Sequence, residues 1–218
     1  MNKRENLTEK LEKLSEKLHH NFSLRDKTRE QTLLICREII RKSANTIRAV
    51  HRREFDEAKV LLQSASELIR ELNLISAANQ NELLHSGFVH DAEKEFSEAS
   101  ITFSLIRSQT IPMPEQLKIS YPAYLNGMAE SVGELRRFLL DSLRRDDFSK
   151  CEDLLSIMDD IYTLLVTMDF PDAITNGLRR NTDSVRGILE KTRGDLTIAL
   201  QQKKLEKRMD SVNQQIQQ

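Results

Sequence analysis

No proline occurs in the first 111 residues of this chain, and only six glycines occur in its 218 residues. With so few breakers, long uninterrupted helices are what the backbone can form. The apolar residues agree: they recur at three- and four-residue spacings, and no stretch shows the two-residue alternation of a half-buried strand. The expected fold is all-α, an antiparallel bundle of about seven helices. At 218 residues the chain is long enough for one domain with a real core, taken as residues 1–218.

The helices can be placed from their stripes and stops. Residues 2–21 form a charged amphipathic helix with Leu7, Leu11, Leu14 and Leu18 on one face, which needs a partner surface. Asp26 can cap a second helix to about Arg53, whose stripe includes Leu33, Cys36, Ile40, Ala44, Ile47 and Val50. Phe55 to Leu74 is a third, and Asn81 to Ser108 a fourth. Pro112 and Pro114 then force an extended passage, and Pro122 suits the first turn of a fifth helix after Ser120. That helix runs to about Arg145, where Asp146-Asp147 turns the chain into a sixth, Phe148 to Met168. Phe170-Pro171-Asp172 breaks it, and a last helix runs from Asp172 to about Leu205, followed by a polar tail expected to fray. There is no internal repeat and no low-complexity linker.

Net charge is −1, but it is unevenly spread. Residues 1–53 carry fourteen Lys/Arg and seven Asp/Glu, a net of +7, against −8 for the remainder. A basic arm on an acidic body suits an anionic partner at one end and a cation or complementary subunit at the other; two solvated helix faces would give the same count. Cys36 and Cys151, 115 residues apart with no ligand-spaced companion, read as reduced packing residues of an intracellular, cytoplasmic protein. The N-terminal residues lack the apolar run of a signal peptide, and no window of eighteen apolar residues suggests a membrane span.

Four glutamates are the strongest chemical signal. Glu95 and Glu98, at i, i+3, share one face of the fourth helix; Glu130 and Glu134, at i, i+4, share one face of the fifth. Each pair borders an apolar stripe: Phe88, Ala92, Phe96, Ala99 and Phe103 on the one, Tyr124, Met128, Leu135 and Phe138 on the other. Gly127 and Ser131 leave room there for another backbone or a ligand. Carboxylates on facing helices are how bundles build metal centres, and an oxygen-only set suits Mg²⁺, with Mn²⁺ as an alternative. Among 34 acidic residues such pairs also arise by chance.

Arg37, Arg41, Arg48 and Arg52 fall within a narrow arc of the second helix and could track a phosphate backbone; as a solvated face they would pair with Glu38 and Glu54. His85 and His90 open the fourth helix and could contact bases or phosphates near the carboxylates. No Ser/His/Asp or Cys/His arrangement, phosphate-cradling glycine loop or dinucleotide fingerprint is present.

Three blocks resemble the translin family: AEKEFSEA at Ala92–Ala99, YLNGMAESVGELRR at Tyr124–Arg137 and LRRNTDSVRGILEKTRGDLT at Leu178–Thr197. The similarity spans roughly Arg25 to Leu200 and is closer to the branch of translin-associated factor X, whose acidic positions fall on Glu95, Glu98, Glu130 and Glu134. That branch usually has Asp where this chain has Glu130. The resemblance implies an all-helical fold, Mg²⁺-dependent cleavage of single-stranded RNA, and a hollow homo-oligomer of about eight subunits with inward-facing sites. The translin branch itself implies the alternative, a non-enzymatic oligomer binding single-stranded RNA or DNA; a helical scaffold for protein partners is a third reading.

Overall fold

A computed structural model describes residues 3–78 and 86–216. Its elements are α1 (Lys3–His51), α2 (Phe55–Ala78), α3 (Gly87–Ile106), α4 (Pro114–Leu117), α5 (Tyr121–Leu143), α6 (Cys151–Val166), α7 (Asp172–Thr175) and α8 (Leu178–Ile216). Among the described residues there is no strand, so the all-α expectation holds. None of the helices is long and apolar enough to cross a membrane.

Two expected boundaries are absent. The first two predicted helices are one, because nothing between His19 and Asp26 breaks a helix: a capping side chain without a proline or glycine does not stop propagation. At about 1.5 Å per residue, α1 is roughly 73 Å long. Only its C-terminal half packs; every side chain from Leu7 to Lys27 is exposed, so the Leu7–Leu18 stripe has no partner surface among the described residues. The polar end of α8, expected to fray, is helical to Ile216, although every side chain from Lys204 to Gln215 is exposed.

The opposite correction applies after α6. The last predicted helix is split into α7 and α8 by Asn176 and Gly177, with φ of 50° and 80°. Both lie in the left-handed region that favours glycine and tolerates asparagine. The proline passage also differs: after an extended Gln109–Met113, Pro114 starts the single turn α4. Ser120 and Pro122 open α5 as expected, though the Ser120 hydroxyl does not cap the helix.

Two apolar clusters hold the bundle. One joins α1, α2 and α3 through Ile35, Ile39, Ala65, Ile69, Leu72, Val89 and Phe96. The other is centred on α5, α6 and α8, with Val132, Leu135, Leu139, Met158, Leu165, Val185 and Leu196. The α3–α5 pair packs closely between them and is the spine that positions the site. Cys36 and Cys151 are buried free thiols, as the packing reading requires.

Candidate metal centre

The site begins with a glycine. A Cβ on Gly127 would lie 2.5 Å from the Lys94 carbonyl oxygen, 2.6 Å from Ser97 Cβ and 2.8 Å from the Glu98 nitrogen. Only glycine lets α5 come this close to α3, and buried Ser97 adds a hydroxyl bond to the Tyr124 carbonyl at 3.2 Å. The backbone approach that Gly127 allowed is therefore α3 itself. It carries the acidic edges of both helices together.

Glu95, Glu98 and Glu130 each offer a carboxylate oxygen within 4.8 Å of the other two. Glu134 does not join them. Its carboxylate accepts a hydrogen bond from His51 Nε2, at the end of α1, and lies 3.8 Å from Arg137 Nη1. His51 is buried, and its Nδ1 has no partner among the described residues. The expected set of four is thus a set of three, with the fourth held one turn away by its hydrogen bond to a ring nitrogen on another helix.

Lys94 lies inside the cluster. Its ammonium donates to Glu130 Oε1 at 2.8 Å and lies 4.0 Å from Glu95 Oε1. Burial opposes its charge, but the bond to Glu130 and the surrounding carboxylates raise its pKa. Glu98, by contrast, makes no hydrogen bond or ion pair among the described residues. Burial, reinforced by the charges of Glu95, Glu130 and Glu134, pushes its pKa up to about 8. Burial also raises Glu95, opposed by Lys94 and helped by Glu130 and Asp91.

The donor set fits a hard cation. Mg²⁺ binds oxygens at about 2.0–2.1 Å, which spaces them roughly 3–4 Å apart, so three oxygens within 4.8 Å need only a small inward shift. The Glu98 carboxyl, half-buried and without a partner among the described residues, is the group such an ion would satisfy. From Glu98 and Glu130 a cleft of about 340 Å³ opens towards Asn181 and Ser184 on α8. Asn181 is tied back by its amide to Asn126 Oδ1 at 2.8 Å, and Asn126 donates to the Thr175 carbonyl at 2.8 Å, which fixes the α8 wall to the break before it.

Nearby Glu93 has a different task. It is buried and accepts from the Ser120 amide at 3.1 Å and hydroxyl at 2.6 Å, anchoring the start of α5. Burial raises its pKa and the two Ser120 bonds lower it.

The other predicted contacts are dispersed. Arg37, Arg41 and Arg48 are exposed on α1, and Arg52 is exposed in the turn just after it. However, Arg41 pairs with Glu38 at 2.6 Å, Arg48 donates to Asn45 at 2.8 Å, and Arg52 bonds Glu54 and lies 3.5 Å from Glu57. Both pairings of the solvated-face reading are thus present. His90 Nδ1 accepts from the Asn176 amide at 3.1 Å, and burial lowers its pKa. His85 lies outside the described residues.

Sequence reasoning missed Lys94 and His51. His51 lies one turn beyond Ile47 on the buried stripe of α1, a readable sign of burial though not of its partner. Nothing local marks Lys94, since Glu130 is 36 residues away.

No family model matches the chain. An uncharacterized protein of Methanocaldococcus jannaschii is 35% identical over 190 residues, which is 86% of this chain and 83% of that protein. The crystal structure of AfC3PO is 31% identical, covers 87% of this chain and 96% of its own, and superposes with a TM-score of 0.75. AfC3PO in complex with duplex RNA gives a TM-score of 0.71 at the same identity and coverage. The apo form of NeC3PO, at 18% identity and a TM-score of 0.71, covers 91% of this chain and shares the fold.

Proposed function

The chain belongs to the translin family, and we propose that it is a catalytic, factor-X-like member: a Mg²⁺-dependent endoribonuclease subunit acting on single-stranded RNA. The observation that carries this is the convergence of Glu95, Glu98 and Glu130 within 4.8 Å on two helices held together at Gly127. Those three would hold the ion, and Glu134 would border it on the α1 side. When bound, Mg²⁺ or Mn²⁺ would supply an activated water and neutralise charge developing on the scissile phosphate. The protein's own part is positional. Gly127 sets the spacing, Asn126 and Asn181 fix the facing wall, and the cleft beside Glu98 and Glu130 is where the strand would lie.

RNA as the ligand class is supported by the complex of AfC3PO with duplex RNA. Exposed Arg37, Arg41, Arg48 and Arg52 would hold phosphates without reading sequence, exchanging their present acidic partners for the backbone. We place the protein in the cytoplasm as a homo-oligomer of about eight subunits. An open, almost wholly apolar groove of about 760 Å³, with Tyr121, Phe170 and Ile174 well exposed around it, supports assembly. Light scattering that returned a 25.2 kDa particle would remove that part of the proposal.

The second reading, a non-enzymatic nucleic-acid-binding oligomer, draws on the same complex and on Lys94, which already neutralises one carboxylate. Labelled single-stranded RNA, incubated with Mg²⁺ or with EDTA, separates the two. Cleavage that stops with EDTA and in Glu130→Gln, while binding persists, supports the enzyme. Binding without cleavage at any Mg²⁺ concentration supports the second reading, and preferred binding of duplex would move the ligand class to paired RNA.

A further inference from the structure

We propose that Lys94 is a tethered counter-ion that restricts the carboxylate centre to a single divalent cation. The inference rests on the metal reading above and specifies its stoichiometry. Two-metal sites hold their ions about 3.5–4 Å apart, with carboxylates on both flanks and one bridging between them. Here one flank is taken. The Lys94 ammonium spans the edge from Glu130, at 2.8 Å, to Glu95, at 4.0 Å, so an ion on that edge would collide with a positive charge carried by the same helix. The other flank is open, because Glu98 has no hydrogen-bond or ion-pair partner among the described residues.

Charge balance leads to the same count. Three ionised carboxylates and one ammonium sum to −2, which one divalent ion neutralises. Glu134 lies outside the three-oxygen cluster, bonded to His51 and 3.8 Å from Arg137. Asp91 is exposed one turn before Glu95 and is screened by solvent. Lys94 has only a fifth of its side chain exposed and reaches from α3 to Glu130 on α5, so the ammonium is held in the site. A surface lysine would be free to swing away.

The test is a Mn²⁺ titration of the full-length protein, followed by electron paramagnetic resonance and by calorimetry at about 0.2 M salt. Wild type is expected to take up one ion per chain. Lys94→Met keeps the bulk of the stem and removes the charge; it should bind the first ion about tenfold more tightly and admit a second. Lys94→Arg should restore one ion per chain, which a merely structural role of the stem would not require. Two ions per wild-type chain, or a Lys94→Met protein unchanged in both count and affinity, would overturn this inference and leave the metal reading standing. No uptake by any of the three proteins would overturn the metal reading itself, and the inference with it.

Discussion

Glu98 should make the metal-free protein less stable as pH rises, and Glu98→Gln should abolish that loss. The carboxyl is half-buried and has no partner among the described residues, and its pKa rises from the ordinary 4.5 to about 8, mainly through desolvation. An acid raised by folding keeps its full stability contribution below the unfolded value and loses it as pH rises through the folded value. For Glu98 that window runs from about 4.5 to about 8. At ~1.36 kcal/mol per pH unit the span sets a ceiling near ~5 kcal/mol. Partial exposure and relaxation of the neighbouring carboxylates reduce it, and about 2 kcal/mol is the expected loss. Glutamine keeps the shape and cannot ionise.

The assay is urea unfolding in EDTA at pH 5, 7 and 9, at one fixed protein concentration so that assembly does not confound the midpoint. Wild type and Glu98→Gln should match within error at pH 5. By pH 9 the variant should be the more stable by about 2 kcal/mol. Adding Mg²⁺ at pH 9 should return wild type towards the variant and leave the variant unmoved, because the ion replaces the proton on the same group. A wild-type-minus-variant difference that is flat from pH 5 to pH 9 would refute the reasoning, since it would mean that Glu98 ionises as easily folded as unfolded.

Two further predictions concern the spine and the basic stripe. Gly127→Ala places a methyl 2.5 Å from a carbonyl oxygen, and backbone must move to admit it; unfolding should show a loss of about 1–3 kcal/mol, with Mn²⁺ uptake falling as Glu130 is carried away from Glu95 and Glu98. Replacing Arg41 and Arg48 together by Ala should weaken RNA binding alike for all sequences and reduce the log–log salt slope by roughly 0.7 for each phosphate no longer neutralised; an unchanged slope would assign both arginines to their intrachain partners Glu38 and Asn45.

The helices were legible because 3.6-residue periodicity is a local property, and so were the stops that chemistry enforces. Pro112, Pro114, Pro122 and Asp146 all fall where the chain turns or restarts. Asp26 misled because a cap favours a helix start without forbidding continuation. The division at Asn176-Gly177 was readable: an Asn-Gly pair is among the strongest turn signals, and Asn126 then binds the turned carbonyls from 50 residues away. The convergence of acidic edges was legible only as a possibility. Glycine at 127 permits a close approach but does not name the helix that makes it.

What separates a cation site from an ordinary acidic surface in this chain is the distribution of counter-ions, and that is a tertiary fact. Spacing treats Glu95, Glu98, Glu130 and Glu134 alike. The folded chain does not. Glu134 is taken by His51, 83 residues away, and Glu130 by Lys94, 36 residues away. Glu95 shares Lys94 at longer range, and Glu98 receives no partner among the described residues. A surface built only for solubility has little reason to draw a carboxylate half out of water at the junction of two helices and leave it unpaired, because water would satisfy it better one turn outwards. The cost is justified if a mobile cation supplies the missing charge. On this reasoning the acidic residue that lacks a partner marks the site, more than the number of acidic residues does, and Lys94 decides how many ions the others can hold.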